Sequence, residues 1–124
     1  PMNFLDATVQ AVEAEGCLVQ LAASTARLPG AFKVQPGAKV TLGVRPEDVT
    51  LAPQGNASAR LDADVVVLEP LGAETQATLS SPAGELVARL PAQVTLAAGG
   101  RATVWLDANK AHLFAPESGE SLRV

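Results

Sequence analysis

The segment Lys39-Val40-Thr41-Leu42-Gly43-Val44 alternates strictly, with Val40, Leu42 and Val44 on one face and Lys39 and Thr41 on the other. That two-residue period predicts a strand with one buried face. Gln76-Ala77-Thr78-Leu79-Ser80 reads the same way, with Ala77 and Leu79 inward. Turn chemistry separates such runs at Glu15-Gly16, Pro29-Gly30, Pro36-Gly37, Ser81-Pro82-Ala83-Gly84 and Gly99-Gly100. A short helical turn is expected after each strand of the Lys39 type. In the first, Pro46 takes the opening helical position with Glu47 and Asp48 behind it. In the second, Asp107 is placed to cap Ala108, Asn109 and Lys110. Short strands at regular spacing predict an all-β domain with a barrel or sandwich core.

The pattern occurs twice. Ala26-Arg27-Leu28-Pro29 returns as Ala88-Arg89-Leu90-Pro91, and Gly37, Lys39 and Thr41 fall on Gly99, Arg101 and Thr103. Upstream, Asp6-Ala7-Thr8-Val9 resembles Asp62-Ala63-Asp64-Val65. The two registers differ by six residues, assigned to extra loop between Pro70 and Gly84. The expected organisation is a first β half over 1–51, a linker over 52–59, a second half over 60–115 and a polar tail over 116–124. The halves are expected to form one unit built from pseudo-repeats.

Composition narrows the function classes. With 124 residues, the chain suits one domain, long enough to bury roughly two-thirds of its unfolded surface. Apolar residues reach 48 % but are mainly Ala, Val and Leu, with three Phe, one Trp and no Tyr. The net charge is −4. Acidity and few aromatics argue against a nucleic-acid groove, so Lys33, Lys39 and Arg45 are read as solvated strand residues. One Cys excludes an internal disulfide, and one Cys with one His argues against structural zinc. The run Val65-Val66-Val67-Leu68 is far short of the roughly 20 apolar residues that span a bilayer. No signal-peptide pattern opens the chain, and a cytoplasmic location is expected.

No catalytic pattern emerges. The chain has no Gly-x4-Gly-Lys-Ser/Thr phosphate loop. His112 follows Asp107 by five residues, but no Gly-x-Ser-x-Gly elbow accompanies them, so His112 reads as a packed or surface residue. Cys17 lacks a neighbouring base and reads as a small strand residue. The acids Glu13, Glu15, Glu47, Asp48, Glu69, Glu74, Glu117 and Glu120 show no metal-loop spacing. Catalytic, cofactor and metal sites are therefore not expected.

Four segments stand out: Met2-Asn3-Phe4-Leu5, Gly43-Val44-Arg45-Pro46-Glu47-Asp48, Leu71-Gly72-Ala73-Glu74-Thr75, and Asp107 through His112-Leu113-Phe114. In this order they resemble the C-terminal TOBE domain, an OB-like and Mop-like β-barrel module, of ATP-binding subunits of sugar-type ABC importers. The family includes the maltose and glycerol-phosphate transporters, and the resemblance runs from about Pro1 to Phe114. It implies regulation and dimerisation of ATPase subunits at the inner face of a membrane. The implied partners are the subunit's own ATPase domain, a second copy, the permease and, in some relatives, a regulatory protein. ATP and Mg belong to the nucleotide-binding domain, which the segment lacks. On this reading Arg45, Pro46, Glu47, Gly72, Glu74 and His112 are candidate domain or partner contacts, and an Arg45–Glu74 pair is expected across the halves or across a dimer. Two alternatives stand beside it. One is a Mop-like oxyanion-binding module using Ser24, Thr25 and Lys39. The other is an OB-type nucleic-acid-binding domain.

Overall fold

A computed structural model describes residues 1–124, the side chain of residue 56 excepted. Ten strands form: β1 (Asn3–Glu13), β2 (Gly16–Leu21), β3 (Ser24–Pro29), β4 (Lys39–Val44), β5 (Val49–Thr50), β6 (Ser58–Pro70), β7 (Glu74–Ser81), β8 (Gly84–Pro91), β9 (Arg101–Asp107) and β10 (His112–Phe114). They build two curled five-stranded sheets, ordered β10-β4-β1-β2-β3 and β5-β9-β6-β7-β8. The fold is all-β and OB-like. Alternation creates the core directly: Leu5, Ala7 and Val9 of β1 and Leu61, Ala63 and Val65 of β6 are buried in one continuous apolar cluster, while Asp6, Thr8, Asp62 and Asp64 point outward.

The two sheets repeat each other strand for strand, with one exchange. β5 leaves its own half to pair with β9, and β10 pairs with β4. Thr50 faces Trp105 as His112 faces Gly43. Each sheet therefore needs a strand from the other half of the sequence. Both central strands carry a register shift at the same place, between Val9 and Ala11 and between Val65 and Val67. Both turns that follow the hairpins return to those valines, since Gly37 N–H donates to Val9 O and Gly99 N–H to Val65 O, each at 2.8 Å. Gly37 and Gly99 have φ of +90° and +85°, the region glycine enters without a Cβ clash.

The six extra residues do not all lie before Gly84. Val9 pairs with Val19, and Val65 with Leu79, so the second hairpin is four residues longer at its first connection. The next turn adds none, because Val19 faces Ala26 and Leu79 faces Leu86 at equal spacing, so the remaining two enter beyond Leu86 and before Gly99. Ala26-Arg27-Leu28-Pro29 and Ala88-Arg89-Leu90-Pro91 are thus staggered by two residues. A shift of two preserves the inward face, so Ala26, Leu28, Ala88 and Leu90 are all buried.

Two expected boundaries change. Ser58 and Ala59 open β6 instead of ending a linker, because Ser58 faces Asp107 and Ala59 faces Leu106. The tail is also tied down. Leu122 N–H donates to Leu113 O at 2.9 Å, Leu122 O accepts from Lys33 N–H at 2.7 Å, and the Leu122 side chain packs against the core. Both helical turns form. Pro46–Asp48 begins on Pro46, and Asp107 caps Ala108–Lys110 by accepting from Asn109 N–H at 3.0 Å. Lys110 and Asp48 join the two turns at 3.7 Å.

Candidate interaction surface

Three of the four motif segments meet on the outer face of one sheet. Phe4 of β1 lies opposite Gly43 of β4, which lies opposite His112 of β10. A Cβ at Gly43 would stand 2.5 Å from Met2 Sδ and 2.6 Å from a Phe114 ring carbon. The missing side chain is the slot that receives both. Phe4 meets Phe114 edge to face at 5.8 Å, and the His112 ring stacks on Phe114 at 6.1 Å. Phe4 remains 59 % exposed. Two of the three phenylalanines thus lie on a solvent-facing patch.

Met2 connects this patch to a cleft of about 610 Å³, which Asn3, Arg45, Pro46, Glu47, Gln76, Val87 and Arg89 also line. The cleft spans the seam where β1 meets β8. There the Asn3 carboxamide mimics a strand: its Nδ2 donates to Val87 O and its Oδ1 accepts from Val87 N–H, both at 2.8 Å. Pro46 is buried, whereas Arg45 and Glu47 on either side of it are exposed. Pro46 follows a strand end, cannot extend the ladder, and starts the helical turn.

The candidate residues therefore divide. Arg45, Pro46 and Glu47 share the cleft, and His112 belongs to the adjoining patch. Gly72, at φ +85°, shapes the β6–β7 turn in which Leu71 N–H donates to Glu74 O at 2.8 Å. Glu74 does not pair with Arg45 within the chain. Its carboxylate lies 3.7 Å from Arg89, which projects from the neighbouring strand on the same face and is the nearer cation. Sequence reasoning missed Arg89, the Asn3 clasp and the Gly43 slot. The alternation of β1 already placed Met2 and Phe4 outward, and that was the available signal.

Other polar clusters satisfy themselves. On the outer face of β6 and β9, Arg60 pairs with Asp62 at 3.3 Å and Arg101 with Asp64 at 2.9 Å. The Thr103 hydroxyl donates to Asp62 at 2.7 Å and, chiefly for that reason, holds its carboxyl below the ordinary 3.8. Burial pushes the Cys17 thiol up, as befits a core residue. Lys33 and Lys39 share a separate cleft with Phe32 and Leu122, away from Arg45. Among the described residues no group of three or more His, Cys, Asp or Glu side chains is placed to hold a metal ion.

The geometry defines an OB-like module with a mixed aromatic and charged outer face. The chain belongs to the TOBE domain family: the TOBE domain profile matches residues 42–114 and the MalK OB fold domain profile residues 1–49. It is 35 % identical over 117 residues to the maltose/maltodextrin import ATP-binding protein MalK of Aliivibrio fischeri, covering 91 % of this chain and 31 % of that protein. It is 37 % identical over 102 residues to the xylose/arabinose import ATP-binding protein XacK of Haloferax volcanii, covering 77 % and 27 %. With the sn-glycerol-3-phosphate import ATP-binding protein UgpC of Salmonella paratyphi A it shares 35 % over 120 residues, covering 96 % and 32 %. The chain spans about a third of the length of these relatives. Among solved structures, the cytoplasmic molybdate-binding protein ModG superposes with a TM-score of 0.73 at 18 % identity, over 92 % of this chain and 96 % of that one. That likeness concerns the fold.

Proposed function

We propose that this chain is the regulatory and dimerisation domain of the ATP-binding subunit of an ABC importer for sugars or a related solute. The observation that carries the reading is the match to import ATP-binding proteins over nearly the whole of this chain and about a third of theirs. ATP and Mg would be held by a preceding domain, and this segment would contribute contacts and no catalysis. Its partners would be that domain, a second copy, the permease and a regulatory protein. The subunit would sit at the cytoplasmic face of the membrane through the permease. Among the described residues no helix is long and apolar enough to cross a membrane. Sequencing the reading frame immediately upstream of the Pro1 codon tests this. A Gly-x4-Gly-Lys-Ser/Thr loop in the same frame is expected, and a frame without one overturns the reading.

The fold shared with a molybdate-binding protein raises oxyanion binding as a second reading. Its candidate donors are spread out. Lys39, Thr8, Gln20 and Thr25 face one another in a row across four strands, which puts Lys39 and Thr25 roughly 14 Å apart at ordinary strand spacing. Thr25 already donates to Gln10 at 3.3 Å. The importer reading is therefore the better supported.

A further inference from the structure

We propose that the cleft beside Lys33 and Lys39 is a binding site for a small organic carboxylate, its charge met by the two lysines and its apolar body by the floor between them. Such a site adds a ligand to the protein contacts of the importer reading and does not depend on them.

The chain has nine Lys and Arg residues, and among the described residues five of them lie in ion pairs. The other four are Lys33, Lys39, Arg45 and Arg123, and three of these gather in one region. Lys33 and Lys39 line a cleft of about 540 Å³, and Arg123 stacks over Phe32 on its wall, 4.7 Å from the ring centroid. Among the described residues no Asp or Glu lines that cleft, in a chain whose net charge is −4. The internal repeat shows what leaves Lys39 unpaired. Arg101 occupies the matching position and lies opposite Asp64, to which it is bound at 2.9 Å. Lys39 lies opposite Thr8. Threonine thus stands where the second half has its neutralising carboxylate, and in the register of Gly37 and Gly99, Lys33 has only Thr95 as its counterpart.

The cleft is firm and apolar between the lysines. Phe32, Val34 and Leu122 pack against the core. Its walls are tied by backbone hydrogen bonds, Lys33 N–H donating to Leu122 O at 2.7 Å and Val124 N–H to Ala31 O at 2.9 Å. Gln35 supplies the one uncharged polar side chain of the lining. An ammonium attracts an anion from any direction, whereas such a floor leaves the hydroxyls of a sugar phosphate without partners. A carboxylate on an aliphatic or aromatic body suits both features, and the cleft has the size of small-molecule sites.

Titration of the isotope-labelled chain with hexanoate, acetate, 1-hexanol and inorganic phosphate at constant ionic strength, followed by amide chemical shifts, tests the site. Hexanoate is expected to bind saturably with a Kd below about 5 mM, and each of the other three at least about tenfold more weakly. The shifts should fall on residues 32–40 and 115–122. Lys33→Glu and Lys39→Glu should each weaken hexanoate at least about tenfold. Thr8→Asp, which gives Lys39 the partner that Arg101 has, should weaken it about threefold. Gln54→Glu adds the same charge away from the cleft and should leave the Kd within about twofold. All four positions are exposed, so the urea midpoint should stay in place. Equal binding of acetate or phosphate means that charge alone is read and overturns the apolar half of the assignment. Equal binding of 1-hexanol, or indifference to the lysine reversals, overturns the role of Lys33 and Lys39. Shifts confined to other residues, or no saturation by about 50 mM hexanoate, overturn the site itself. None of these outcomes bears on the upstream reading frame, so the importer reading stands or falls separately.

Discussion

Asn3 shows how one side chain closes the molecule. It is 7 % exposed, one of two buried polar residues among the described residues, and it satisfies both backbone groups of Val87 on the free edge of β8. Leucine is nearly the same size but can neither donate nor accept. Asn3→Leu should strand the Val87 N–H and C=O away from water and cost about 1–3 kcal/mol, measured as a lower urea midpoint. Asn3 shares an alternating face with Leu5 and Ala7, a signal in the sequence that the reading of strands at Lys39–Val44 and Gln76–Ser80 did not extend to. Its partner lies 84 positions away and depends on how two sheets meet, which no local pattern encodes. Arg45, Pro46 and Glu47 were legible as neighbouring candidate contacts, and the proline as the start of a helical turn, because those signals are local. The Arg45–Glu74 pairing was not legible, because the competing Arg89 lies on a neighbouring strand whose register cannot be read from either residue.

At the scale of elements, the repeated pattern located the strands but not their partners. The matched turns after Pro36 and Ala98, the helical start at Pro46 and the cap at Asp107 are local and were readable. Exchange of β5 and β10 is not. Three residues of β10 have no stronger alternation than many loops, and which sheet they join depends on the distance the preceding turn spans. Yet the exchange has a large consequence. Leu113 of β10 is buried at 1 % exposure beside β4, and Leu122 returns from the tail to hydrogen-bond it. A chain ending at Ala111 keeps all five strands of one sheet and four of the other but leaves the β4 edge, Leu42 included, uncovered. It is expected to lose cooperative unfolding in urea and to bind a hydrophobic dye, although only 13 residues are removed. A truncated chain that unfolds as sharply as the full one would show that β10 is peripheral.

The whole molecule inherits its unity from that exchange. A sequence made of two similar halves invites the expectation of two independently melting units, as in a repeat protein whose stability is a sum over neighbours. The core argues otherwise. Val44 and Val49 come from the first half, Leu106 and Leu113 from the second, and all belong to one buried cluster. β5 completes the sheet of β9, and β10 completes the sheet of β4. Neither half can bury its apolar face with its own strands alone, so opening one half exposes the other. Heating should therefore give a single transition whose calorimetric enthalpy equals the van't Hoff enthalpy, near 70–90 kcal/mol on the usual scale of about 0.7 kcal/mol per residue. Leu42→Ala in the first half should cost about 2–5 kcal/mol and lower that one midpoint without splitting it. Two resolved transitions, or a substitution in one half that moves only part of the signal, would mean that the exchanged strands do not couple the sheets.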